Sequence, residues 1–382
     1  MQTVSTHAAL VVSAPGQIGI ERVPTPRPRS GEILIAPLYV GICGSDLDLL
    51  RGTRPLGARI LGHEGVAEVV AVGPGTADFS VGQYVTFLPN NPNNPADILG
   101  VSTEGLYQQY LLIQQPALER GMVVPYEAGI PLVCGPLLEP FATVIYGQRL
   151  LEQVCTPERM VIVGAGPIGL LNALYARGQG CAQVFLIDTS AARLDWAVKR
   201  GIVADTEALL NSPQLVDILL ERTAGQGVDV AYLCTPRSAT RSALKQALRV
   251  VREDGGISLT AGTDSSEEFP ELPGVDLDGI RRANVCGLGH EVKACVTRGG
   301  KKLWLTGHSG ASASYLQQAM QLLLNDSANY ARVISHLAAY DAAPRLFEHL
   351  LAADPQNIAG APGVKVIMDF THTGEEIEVY RD

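Results

Sequence analysis

Three residues in the first part of the chain carry groups that zinc prefers: the thiol of Cys43, the imidazole of His63 and the carboxylate of Glu139. Each sits in its own local frame: GICGSD, LGHEG and PLLEP. Three protein ligands leave a fourth tetrahedral position open to water or substrate, the arrangement of a metal that takes part in chemistry. Taken singly, each residue also has a plainer reading. A lone cysteine is commonly a small core side chain, and a lone histidine a hydrogen-bonded structural one. Glu139 is the most pointed of the three, since it lies between Leu137, Leu138 and two prolines. An unpaired carboxylate is costly to bury in such a setting, and a metal removes that cost.

About 25 residues after Glu139 comes Gly164-Ala165-Gly166-Pro167-Ile168-Gly169, directly behind the apolar run MVIV. In a strand–turn–helix setting the first glycine permits a tight turn and the second lets a pyrophosphate approach the backbone. The third lets helix and strand pack closely, and the helix N-terminus adds its positive dipole end. A glycine turn in an unrelated nucleotide-binding protein, such as a methyltransferase, has the same pattern. Here a second apolar run, VFLID, ends in Asp188, 19 residues past Gly169. An acid at that place accepts a hydrogen bond from a ribose 2′-hydroxyl and repels a 2′-phosphate, and no arginine follows immediately. The expected cofactor is therefore NAD(H) in preference to NADP(H).

These groups need two kinds of scaffold. ALVVSA, EILIAPLYV, GVAEVVAVG and QYVTFLP read as short strands broken by turn signals such as VGPG and TPRPRS, an irregular β-rich unit. From about residue 158 the rhythm changes. RMVIVGAG, QVFLID, DVAYLCT and GGISLTAG are near-continuous apolar runs alternating with helix-like IGLLNALYARGQG and SALKQALRVVRE, which indicates a parallel, doubly wound sheet. ASYLQQAMQLLLND and PRLFEHLLAAD follow as helices, and GVKVIMDF closes as a strand. The expected division is residues 1–148, 149–307 and 308–382, the last returning to the first. The tract NNPNNP (90–95) is expected to be a surface loop.

At 382 residues with 46% hydrophobic and 18% charged residues, the chain is expected to be globular, with two domains. A net charge of −10 disfavours a nucleic-acid partner. Seven cysteines without a CxxC pair suit reduced thiols, no apolar run reaches membrane-spanning length, and the N-terminus lacks a basic n-region. A cytoplasmic location is expected.

GICGSD, LGHEGVAEVVAVGPG, LLEP and VIVGAGPIGLL, in this order, resemble the zinc-dependent medium-chain dehydrogenase/reductase superfamily across essentially the whole chain. The resemblance is strongest to its polyol branch of sorbitol, glucose and threonine dehydrogenases. It implies a GroES-like β-rich catalytic domain joined to a Rossmann domain. It also implies a catalytic zinc on Cys43, His63 and Glu139, with Glu64 as a carboxylate that approaches the metal and exchanges with water. Ser45 takes the place of the hydroxyl that receives the alcohol proton, and Arg193 matches a position near the adenosine, or is an exposed residue of a first helical turn. Ala261 and Gly262, behind GISLT, line the nicotinamide side or form an ordinary strand-end turn. Relatives are commonly dimers or tetramers.

The chain departs from that pattern twice. Where many relatives hold a second, structural zinc on four cysteines, LPNNPNNPADILGVSTEG has none, so only the catalytic ion is expected. Asp48 stands where alcohol and sorbitol dehydrogenases place a relay histidine; it is either a proton relay or a solvated helix-start carboxylate. The implied activity is oxidoreduction between a secondary alcohol of a polyol, sugar, cyclitol or amino alcohol and its ketone. A second reading is a reductase for an anionic, phosphorylated or phosphonylated substrate, drawn from the polar segment 284–310 with His290, Lys293, Lys301, Lys302 and His308. Further alternatives are a zinc-free enone or quinone reductase and an inactive scaffold of the same fold.

Overall fold

The computed structural model describes residues 5–94, 96–263, 268–286, 294–352 and 357–381. The chain divides into two compact units, one of residues 1–140 and 316–382 and the other Phe141–Tyr315. The boundaries expected from the sequence were 148 and 307. The helix Leu138–Glu152 begins in the first unit and continues into the second.

In the first unit, Thr6–Ala14 and Gln17–Pro24 form an antiparallel pair. The main sheet runs Ile377–Val379, Ile334–Ala339, Lys365–Asp369, Ile33–Gly41, Glu64–Val72, Tyr84–Phe87 and Val123–Pro125. The late strand Lys365–Asp369 pairs antiparallel with the early strand Ile33–Gly41, so the C-terminal segment completes the N-terminal sheet. Ile33 and Ile35 alternate into a core shared with Leu10, Val69, Phe87 and Phe347, and the register irregularity between Pro37 and Tyr39 turns Val40 to the same core. The asparagine tract is not simply a surface loop. Asn91 is buried, and its amide donates to Asp97 Oδ2 at 2.8 Å while its carbonyl oxygen accepts from Asn93 N–H at 2.9 Å.

In the second unit six strands run parallel in the order Ala208–Leu210, Gln183–Asp188, Arg159–Val163, Val228–Leu233, Val251–Leu259 and Lys301–Ser309, with Asn284–Val285 parallel and Ala294–Arg298 antiparallel to the last. In sequence rank the six are 3-2-1-4-5-6, the doubly wound dinucleotide-binding order. Both faces are covered, which is why Val228–Leu233 is buried throughout. One helix is displaced from its expected position. It spans Arg237–Val250, and Val251-Arg252-Glu253, read above as its end, opens the next strand. Among the described residues no helix is long and apolar enough to cross a membrane.

Candidate metal centre and dinucleotide loop

Strand register brings the metal-type groups together. Gly41, the last residue of Ile33–Gly41, pairs with Glu64, the first residue of Glu64–Val72. Cys43 lies two residues beyond the first of these and His63 one residue before the second, so both project from the same end of the sheet. Cys43 is the extended N-cap of the short helix Gly44–Leu50, which carries Ser45 and Asp48. Ligand atoms of Cys43, His63 and Glu64 all lie within 4.8 Å of one another, the one such group of three among the described residues. Glu139, in the first turn of Leu138–Glu152 and half-buried, is outside that group.

Ser45 Oγ is 3.4 Å from His63 Nε2, and Nδ1 faces Asp46 Oδ1 at 3.6 Å. The second nitrogen is therefore oriented by a carboxylate, leaving Nε2 on the side of Ser45 and Cys43. Asp46 is fully buried; its Oδ2 accepts from Cys43 N–H at 2.9 Å and from the Tyr107 hydroxyl at 2.7 Å. Burial pushes the carboxyl of Asp46 up, against the pull of His63 and these two donors. Burial alone would lower the His63 imidazolium, but Asp46 and Cys43 outweigh it and raise it to about 10. Burial, then the Glu64 carboxylate, raise the Cys43 thiol.

A further contact was not visible in the sequence. Lys365 donates from Nζ to Glu64 Oε2, with the two side chains 1% and 4% exposed. Gly41 makes room for it, since a Cβ there would crowd Lys365 Nζ and Glu64 Oε2. Asp46 and Lys365 both escaped the sequence reading. The signal for Asp46 was its place three residues after an N-cap, where an acid returns to the cap N–H; Lys365 left none.

The residues fit a zinc ion. Sulfur, nitrogen and oxygen donors converge, the imidazole has its usual carboxylate partner behind it, and His63 Nδ1 and Asp46 Oδ1 are otherwise unbonded buried atoms.

In the second unit Gly164 has φ +116, and a Cβ there would run into the Cys234 carbonyl. A Cβ on Gly169 would overlap the Gly164 carbonyl, whereas beside Gly166 there is open space, as a pyrophosphate requires. Gly166 caps the helix Pro167–Gly178 without a side-chain bond, leaving its first N–H groups to a ligand. Asp188 Oδ2 accepts from Ala165 N–H at 2.6 Å and Oδ1 from Ser190 N–H at 2.8 Å. The acid thus ties the glycine loop to its own strand end, and each oxygen keeps a lone pair for a ribose hydroxyl. Arg193 lies in the first turn of Ala191–Lys199, half-buried. Ala261 and Gly262 follow Val251–Leu259 and are held by Arg237, which donates to the Thr263 carbonyl at 2.9 Å.

Two residues of the cationic segment, Lys301 and His308, are tied to carbonyls, while Lys302 is exposed. His308 is buried, its Nε2–H donates to the Thr143 carbonyl at 2.9 Å, and burial together with Arg281 lowers it to about 3. Lys301 donates to the carbonyls of Leu248 and Val251, at the end of a helix, and Lys302 lies over the Trp304 ring near Asp254. His290 and Lys293 lie outside the described residues.

The profile of the family "Alcohol dehydrogenase GroES-like domain" matches residues 29–121, and that of "Zinc-binding dehydrogenase" matches 167–293. L-galactonate-5-dehydrogenase of Escherichia coli is 29% identical, over 66% of this chain and 76% of that protein. L-threonine 3-dehydrogenase of Pyrococcus furiosus is 31% identical, over 62% of this chain and 70% of that protein. The solved structure of L-idonate 5-dehydrogenase from Escherichia coli shares the fold with a TM-score of 0.70 at 20% identity, covering 95% of this chain and 99% of that one.

Proposed function

Since the chain belongs to the zinc-binding alcohol dehydrogenase family and is an oxidoreductase acting on CH–OH groups, we propose that it interconverts a secondary alcohol of a polyol, sugar, cyclitol or amino alcohol with its ketone, using NAD. The observation that carries this reading is the convergence of Cys43, His63 and Glu64, with Asp46 behind the imidazole. The relatives named for L-galactonate and L-threonine support a hydroxylated substrate over a plain aliphatic alcohol.

Cys43 Sγ and His63 Nε2 would hold the ion together with a carboxylate. Lys365 already pairs with Glu64, so a Cys43 thiolate and Glu139 would together balance a divalent charge, and Glu64 would be the carboxylate free to exchange with water. Bound there, zinc supplies Lewis-acid polarisation of the substrate oxygen. Ser45 Oγ, next to His63 Nε2, receives the alcohol proton; Asp48, further along the same helix, passes it outward. Such positioned transfer is typically worth roughly 10²–10⁴ in rate. The glycine loop would bind the pyrophosphate, Asp188 would select NAD, and Arg193, Ala261 and Gly262 would contact the rest of the cofactor.

A second zinc is not part of this reading. The segment in question carries no cysteine, and the Asn91–Asp97 bonds tie it together. A homodimer or homotetramer in the cytoplasm fits the family. For the anionic-substrate reading, Lys301 and His308 are engaged within their own unit, while Lys302 remains exposed beside Asp254. The test is NAD reduction across polyols, cyclitols, aldoses, amino alcohols and simple alcohols. Turnover confined to simple primary alcohols would overturn the proposal.

A further inference from the structure

Tyr107 joins the two segments that carry the metal-type groups. Its side chain is fully buried and its backbone N–H donates to the Leu61 carbonyl at 2.9 Å, two residues before His63. The ring lies against Gly62, whose φ of +91 and lack of a Cβ both matter, because a Cβ there would overlap the ring. Phe347 packs on the ring with centroids 5.8 Å apart. The hydroxyl reaches the other segment, donating to Asp46 Oδ2 at 2.7 Å, with the Gly41 carbonyl at 3.3 Å.

A buried carboxylate must find donors, and which oxygen receives them fixes its rotation. Oδ2 of Asp46 takes both bonds, from Tyr107 and from Cys43 N–H. Oδ1 has none and faces His63 Nδ1. Without the hydroxyl, a single backbone N–H would hold Oδ2, and the carboxylate could turn or divide its oxygens between Cys43 and His63. Partners that orient a ligating imidazole typically change metal affinity by roughly 10–100-fold when removed.

We infer that Tyr107 is a positioning residue of the metal centre, fixing Asp46 through its hydroxyl and thereby the aim of His63 Nε2; the inference rests on the zinc reading above. Phenylalanine fills the same space, so Tyr107→Phe isolates the hydroxyl. Zinc affinity is measured by competition with a chromophoric chelator in wild type, Y107F, D46N and the double variant, with cobalt absorption spectra of wild type and Y107F. Expected are a roughly tenfold weaker zinc affinity in Y107F, an altered cobalt ligand-field band, unchanged NAD binding, and little further loss when Y107F is added to D46N. Equal affinity and identical cobalt spectra in wild type and Y107F would overturn the inference, as would fully additive losses. If D46N does not fold, the Y107F affinity and spectrum decide alone. Failure of the wild-type protein to bind zinc would overturn the functional reading itself.

Discussion

Lys365 sets its ammonium against Glu64 Oε2 inside the first unit, where neither side chain is more than 4% exposed. The pair exists because Ile367 faces Gly41 across one ladder and Gly41 faces Glu64 across the next. Removing one partner of a buried ion pair leaves an uncompensated charge, at a cost of about 3–5 kcal/mol. Lys365→Met should therefore lower the melting temperature of metal-free protein. Zinc offers the freed carboxylate another cation, so zinc should stabilise the variant more than it stabilises wild type. Thermal unfolding with and without zinc checks this; equal zinc-induced shifts in the two proteins would show that Glu64 is not shared.

Asp188 holds Ala165 and Ser190 through separate oxygens, and on the proposed cofactor reading its charge would oppose a 2′-phosphate. Asp188→Ser should raise kcat/KM with NADP relative to NAD by on the order of 10–100-fold, as expected for losing one like charge at close range. It should also weaken NAD, since the loop loses its tether. Steady-state kinetics with both cofactors decide; a wild-type preference for NADP would contradict the assignment.

His308 is neutral in the folded protein down to about pH 3, whereas an unfolded histidine takes up a proton below roughly 6.5. Between those values the unfolded chain binds more protons, so stability rises with pH. The contribution is complete above about 6.5 and is lost as the pH falls towards 3, by up to ~1.4 kcal/mol per pH unit. Burial dominates the shift and Arg281 adds to it. His308→Gln keeps an amide donor for the Thr143 carbonyl but does not titrate. Urea unfolding of both proteins across this range should show a shallower pH slope for the variant; equal slopes would mean that His308 is not buried as described.

Much of the architecture could be read from local pattern. The apolar runs of the second unit announced a parallel sheet because each is buried on both faces, and GAGPIG announced its turn because Gly164 and Gly169 leave no room for a Cβ while Gly166 borders open space. The error at Val251–Glu253 has a simple origin: ALRVVRE keeps helical spacing of its apolar residues, and the helix ends where Val251 pairs with Val228. The metal-type cluster was legible where its groups sit in compact motifs, as Cys43 and His63 do. Tyr107 and Lys365 reach the site only through contacts far apart in sequence, Tyr107 lying 61 residues from Asp46 and Lys365 301 residues from Glu64. In the basic segment, Lys301 is held by two carbonyls, while Lys302 stays exposed beside Asp254.

The account stands on a single reactive metal at Cys43 and His63. Metal content of the purified protein, followed through chelation and stepwise return of zinc while NAD reduction by a turned-over polyol is recorded, tests it most directly. The expected result is one zinc per chain, loss of turnover on chelation, recovery complete at one equivalent, and neither zinc nor turnover in Cys43→Ser, with NAD binding retained. Full turnover in metal-free protein, or in Cys43→Ser, would contradict it.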